Sequence, residues 1–153
     1  MDYPIRKSPR LPDFDYSSTN YYFITICTHE KQCIFGGLNR LNDLGKIAAQ
    51  DIADLPRHYT GVSVDCYVVM PNHIHAIIVL EHCGIPLDKI VGQYKAGVTR
   101  KAKDLLFGQP LWQRSFHDHV IRNQSSYEKI WNYVTHNHQK WEEDCFYPGD
   151  NIK

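Results

Sequence analysis

The strongest constraint in this chain is the run Val68-Val69-Met70-Pro71-Asn72-His73-Ile74-His75-Ala76-Ile77-Ile78-Val79-Leu80. It is apolar at both ends, broken once by Pro-Asn, and then sets two imidazoles two residues apart inside what otherwise reads as a buried strand. Side chains in a strand alternate faces, so His73 and His75 share one side while Ile74, Ala76, Ile78 and Leu80 fill the other. Two neutral imidazoles side by side are half of a metal site. Taken alone, the pair is equally compatible with two ordinary strand histidines, one hydrogen-bonded and one exposed.

The rest of the chain gives this run its context. With 153 residues, it reads as one domain over 1–153, long enough to bury a core without staples. Charged residues at 22% and apolar residues at 42% are ordinary for a globular protein, and no apolar run has the length that spans a bilayer. The opening MDYPIRKSPRLPDFDY has no apolar segment of a secretory signal, so a cytoplasmic location is expected. Cys27, Cys33, Cys66, Cys83 and Cys145 are odd in number and form no C-x-x-C, so they are expected as small, mostly buried hydrophobes. The 17 Lys and Arg balance 17 Asp and Glu, so any site for a polyanion must be a local patch.

Residues 1–20, rich in Pro, Ser and charge, read as an extended arm whose Arg6, Lys7 and Arg10 are either solvated or available to phosphate. The aromatic and β-branched stretch 21–28 reads as a buried strand. After a Gly36-Gly37 turn, Asn42 can cap a helix over 43–57 that ends near Pro56. Residues 62–69 alternate as a second strand, and Pro71-Asn72 is a turn signal, so a hairpin returns from His73. Pro86 to about Phe107 reads as a long helix, with Ile90, Val91, Tyr94, Val98, Ala102 and Leu105 inward and Gly108 at its stop. Its other face carries Lys89, Lys95, Arg100, Lys101 and Lys103 against Asp88 and Asp104, which is either a binding face or a solvated one. A fourth strand over 115–122 follows Leu111-Trp112-Gln113-Arg114. Ser125 or Ser126 is expected to cap a last helix from Tyr127 to about Trp141, with a fraying tail over 142–153.

The order β-α-β-β-α-β-α implies an α+β protein: a ferredoxin-like four-stranded antiparallel sheet (βαββαβ), both crossover helices on one face, and an added C-terminal helix free to cover the other. On that helix Tyr133 and Asn137 stand at i and i+4, on one face and one turn apart. If that face meets the two histidines, two imidazoles and an amide oxygen surround a divalent ion with a phenol beside it. The ion would act as a Lewis acid on phosphorus and the phenol as nucleophile. A phenol of pKa about 10 needs a nearby cation to serve. Spacing alone favours Tyr133 as a packing residue among ten tyrosines. A second pair, His117 and His119, also shares a face, and His136 and His138 flank Asn137, so a zinc site without a tyrosine is the alternative chemistry.

Three strings, YVVMPNHIHAIIVL, LWQRSFHDHVIRN and IWNYVTHNHQKW, resemble in order and spacing the REP-associated tyrosine transposases, a branch of the single-tyrosine HUH transposases. The stretch RLPDFDYSSTNYYFITICTHEKQCIFG resembles the start of many members, so the likeness covers nearly the whole chain. The resemblance implies that His73 and His75 bind Mg²⁺ or Mn²⁺, that Tyr133 on the helix is the nucleophile, and that Asn137 completes the metal shell. It implies a metal-dependent endonuclease and strand transferase that forms a phosphotyrosine at hairpin-bearing ends of single-stranded DNA, with monomer or homodimer left open and no membrane partner. Lys95, Arg100, Lys101 and Lys103, with Arg114, Arg122 and a stacking Trp112, are the expected DNA contacts. The chain departs from the family in having Asn137-His138 where Asn-Pro is common, His117 where an aromatic is usual, and a neutral net charge. A nucleic-acid hairpin-binding protein without cleavage is the alternative on the same fold, and a metal-dependent phosphohydrolase without a covalent step comes third.

Overall fold

The computed structural model describes residues 20–37 and 40–137. Most of the expected arm, the expected tail, His138 and Cys145 lie outside the described residues. Four strands form one sheet: β1 Asn20–Cys27, β2 Val62–Met70, β3 His73–Leu80 and β4 His117–Ile121. Their order is β2-β3-β1-β4, each antiparallel to its neighbour. With α1 Asp43–Ala53 and α2 Leu87–Lys101 as crossovers and α3 Gln124–Thr135 last, this is the expected ferredoxin-like plan with an added helix.

Alternation sorts the residues. Tyr22, Ile24 and Ile26 of β1 join Ile74, Ala76, Ile78 and Leu80 of β3 on one face, where Leu44, Ala48 and Ile52 of α1 and Ile90, Val91, Tyr94 and Val98 of α2 close the main core. On the other face Val134 of α3 meets Val68 and Met70 of β2, with Ile130 and Phe23 beside them. Because α3 covers that side, all eight residues of β3 are buried, including both histidines. The Pro71-Asn72 turn joins β2 to β3 with Met70 paired to His73, as the turn signal predicted. It is anchored from outside, since Thr28 N–H donates to the Asn72 carbonyl (3.1 Å) and Phe35 N–H to that of Pro71 (3.1 Å).

Several boundaries differ from expectation. α1 ends at Ala53, and Pro56, which cannot donate to the ladder, sits in a separate turn, Leu55–His58. α2 ends at Lys101 and a short piece, Lys103–Leu106, follows, closed by left-handed Phe107 (φ 51°) and Gly108 (φ 79°). The break at Ala102 takes Leu105 out of the inner stripe, and it is 42% exposed. The cap of α3 is Asn123, whose side-chain oxygen accepts from Ser126 N–H at 2.8 Å, rather than Ser125 or Ser126. A register shift between Val64 and Cys66 leaves Asp65 as the extra residue of a bulge, and Tyr67 beyond it is exposed. Cys27 and Cys83 are buried as expected, while Cys33 is exposed.

Candidate metal and nucleophile site

Period 2 puts His73 and His75 on the face opposite the main core, and the fold brings their rings together. The two Nε2 atoms stand 3.1 Å apart and the ring centroids 4.5 Å apart. Each ring is held from behind through Nδ1: His73 by Asn72 Oδ1 at 2.7 Å, His75 by Thr25 Oγ1 at 2.8 Å. Thr25 is the register partner of His75 across the β1–β3 pair, which is why its hydroxyl reaches the ring. Sequence reasoning missed Thr25, for which no local signal exists, and read Asn72 only as a turn residue although it adjoins His73.

α3 runs across β2 and β3 toward the first residue of β3. Early in it, Tyr127 donates to Asp65 (2.6 Å) and packs edge-on to Tyr21, opposite Val79. Two turns later the Tyr133 ring lies 5.1 Å from His75 and 6.1 Å from Phe23. Tyr133 is 37% exposed, so its ring touches the histidine from the rim of the site. α3 ends at Thr135, short of the expected Trp141, and Asn137, just past its His136 cap, is 1% exposed, with neither its Oδ1 nor its Nδ2 hydrogen-bonded.

This donor set fits a divalent ion. Two donors each about 2.1 Å from an octahedral ion and at right angles stand about 3.0 Å apart, close to the Nε2 separation here. Asn and Thr partners behind the rings are the kind of groups that orient imidazole ligands, and the Asn137 amide, the third donor expected from the sequence, is buried with neither of its polar atoms hydrogen-bonded. The rival pair, His117 and His119, lies on the same sheet face through the pairs Thr25–His117 and Phe23–His119, yet β1 separates it from His75 and both rings are exposed. Among the described residues no group of three or more His, Cys, Asp or Glu is gathered to hold a metal. The exposed His136 bonds locally, its Nδ1 lying 3.0 Å from the Asn132 carbonyl oxygen.

The expected DNA contacts are not gathered on one surface. α2 covers the main core, so Lys95, Arg100 and Lys101 lie across the sheet from the histidines, with Lys103 just beyond them. Lys95 donates to the carbonyls of Gln113 and Ser115, both at 2.8 Å, and burial lowers its pKa. Lys101 pairs with Asp51 at 2.7 Å. Trp112 is not an exposed stacking platform: it is half-buried against Phe35 and Tyr94, and its indole N–H donates to the Lys95 carbonyl. From the loop before β4 it packs against the main core. Arg122 has a buried Nε without a partner. Arg114 is exposed at the histidine end of the sheet, since Gln113 N–H donates to the carbonyl of Cys27, the register partner of His73.

No protein-family model matches the chain. A protein of Haemophilus influenzae described as uncharacterized is 36% identical over 167 residues, spanning 93% of each chain. This chain belongs to that protein's family. Among solved structures, a REP-associated tyrosine transposase bound to a REP hairpin matches with a TM-score of 0.65 at 19% identity, over 89% of this chain and 74% of that one. A Deinococcus radiodurans R1 protein described as a candidate transposase matches with a TM-score of 0.56 at 14% identity, over 84% and 97%. The fold is therefore that of the transposases whose motifs the sequence resembles. Among the described residues no helix is long and apolar enough to cross a membrane.

Proposed function

We propose that this chain is a metal-dependent, single-tyrosine nuclease and strand transferase of single-stranded DNA, acting at hairpin-bearing ends, with Tyr133 as nucleophile and His73, His75 and Asn137 as the ligands of Mg²⁺ or Mn²⁺. The observation that carries this reading is the juxtaposition of two Nε2 atoms 3.1 Å apart with the Tyr133 ring, its centroid 5.1 Å from that of His75; a buried, unpartnered Asn137 amide just past the end of the same helix supports it. The transposase fold and the hairpin bound by one protein that shares it support the substrate class.

Bound at these donors, a divalent ion would supply Lewis acidity to a phosphate oxygen and positive charge that stabilises a phenolate. Tyr133 then contributes the attacking oxygen. Its Oη forms a bond to phosphorus as the bond to one sugar oxygen breaks, and the phenol proton passes to solvent. One phosphoester replaces another, so the step is reversible and strands can be rejoined. Packing of its ring against His75 and Phe23 limits the arc through which the hydroxyl swings, and its partial exposure lets an unpaired backbone approach.

The test is a denaturing gel of protein incubated with a DNA hairpin bearing single-stranded flanks and Mn²⁺. A covalent adduct is expected from the wild type and from Tyr127→Phe, and none from Tyr133→Phe. Adduct from Tyr133→Phe would reassign the nucleophile. Hairpin binding without any wild-type adduct would leave a binding protein on this fold instead.

A further inference from the structure

We propose that Lys95 is a positioning residue for DNA binding: its ammonium, bonded to the carbonyls on either side of Arg114, holds residues 112–115 so that Arg114 meets the backbone of a single strand at the histidine end of the sheet. The inference rests on the proposed function, whose chemistry gives Lys95 no role.

Lys95 stands on α2, across the sheet from the histidines, yet its half-buried side chain reaches the loop that leads into β4. Its Nζ donates to the Gln113 carbonyl at 2.8 Å and to the Ser115 carbonyl at 2.8 Å. An ammonium has three protons, and two are committed here, so the charge is directed at the chain's own backbone rather than at a phosphate. The hold is reciprocal. The Trp112 indole N–H donates to the Lys95 carbonyl at 3.0 Å, and that carbonyl also accepts from the Thr99 hydroxyl at 2.9 Å. One turn of α2 and the loop thus grip each other from both sides.

Backbone ties fix the earlier part of the loop. His29 N–H donates to the Leu111 carbonyl at 2.9 Å, Gln113 N–H to the Cys27 carbonyl at 3.0 Å, and Thr28 pairs with Trp112 as an isolated bridge. Beyond Gln113 the backbone is under strain: Ser115 is left-handed (φ 67°), a conformation that a residue with a Cβ keeps only where its surroundings hold it. The Lys95 ammonium is bonded to the carbonyl of that very residue. Without it Ser115 is free to relax, and Arg114, exposed between the two carbonyls, moves with it. A guanidinium is shaped to take a phosphate by two parallel bonds, which makes its placement matter more than its charge. On a mobile backbone that placement has to be ordered at the moment of binding, and affinity falls.

The experiment is fluorescence anisotropy of a DNA hairpin with single-stranded flanks against the wild type, Lys95→Met, Arg114→Ala and the double variant over a range of salt, beside ¹⁵N relaxation of the free proteins. Each single substitution is expected to weaken binding about three- to tenfold, and the double variant no further than either, since the two residues act as one unit. The slope of log K against log salt should fall by about 0.7 in all three, where two separate phosphate contacts would take about 1.4 from the double variant. The Arg114 amide should show an order parameter of about 0.85 in the wild type and below about 0.6 in Lys95→Met. Lys95→Gln, which keeps a donor for one carbonyl, takes the place of Lys95→Met should that variant not fold, and its loss should likewise vanish beside Arg114→Ala. Losses that add, wild-type affinity in either single variant, or an equally rigid Arg114 amide without the ammonium would overturn the inference and leave the proposed chemistry standing. A folded wild type that binds no hairpin and forms no adduct with Mn²⁺ would overturn both.

Discussion

A buried amide without partners is a cost the folded chain carries, about 1–3 kcal/mol for a group left unsatisfied. Asn137 is such a residue, and Asn137→Leu, similar in volume and without polar atoms, should leave the thermal midpoint of the metal-free protein unchanged or raise it. The same substitution should weaken Mn²⁺ binding, because two imidazoles remain and a third donor is gone. A lowered midpoint with unaltered Mn²⁺ binding would make Asn137 structural. Tyr133 carries the opposite expectation: loss of one partly exposed hydroxyl in Tyr133→Phe removes covalent chemistry and leaves stability within about 0.5 kcal/mol, measured by urea denaturation.

Among the elements, α1 poses a conflict that magnitudes resolve. Gly45 lies in its first turn, where Ala is intrinsically better by about 1 kcal/mol. A Cβ there would stand 2.4 Å from the Phe35 carbonyl oxygen, and Phe35 N–H is bonded to the Pro71 carbonyl of the turn that introduces His73. Backbone on both sides cannot give way cheaply, so the clash wins. Gly45→Ala is expected to destabilise by about 1–3 kcal/mol in denaturant titrations despite its better propensity. For α3, Asn123→Ala removes the bond to Ser126 N–H and should cost about 1 kcal/mol, since the cap is exposed and water replaces part of it.

Over the whole molecule, zero net charge leaves no diffuse attraction for DNA, and the sheet divides what local attraction there is. Lys101, paired with Asp51 on the far side, is already neutralised by its own chain, whereas Arg114 stands exposed at the histidine end. Under the proposed function, Arg114→Ala should weaken hairpin binding and reduce the slope of log K against log salt by about 0.7, the contribution of one single-strand phosphate. Lys101→Ala should leave that slope unaltered. Fluorescence anisotropy at several salt concentrations distinguishes the two, and equal effects would mean that DNA wraps onto the α2 side.

Local pattern determined the element order, the hairpin at Pro71-Asn72 and the shared face of His73 and His75, because strand alternation, turn chemistry and helix spacing act over a few residues. It also set Tyr133 four residues before Asn137, although the helix ends at Thr135 and Asn137 follows its cap. Contacts between distant segments decided the rest. Only the β1–β3 register puts Thr25 behind His75, fifty positions away, and only the docking of α3 on β2 and β3 turns the Tyr133 ring to the histidines and buries the Asn137 amide. The fate of the basic residues was equally illegible: a lysine on a solvated helix face obeys no period, and whether Lys101 meets Asp51 or Trp112 folds inward depends on which helix or loop lies opposite.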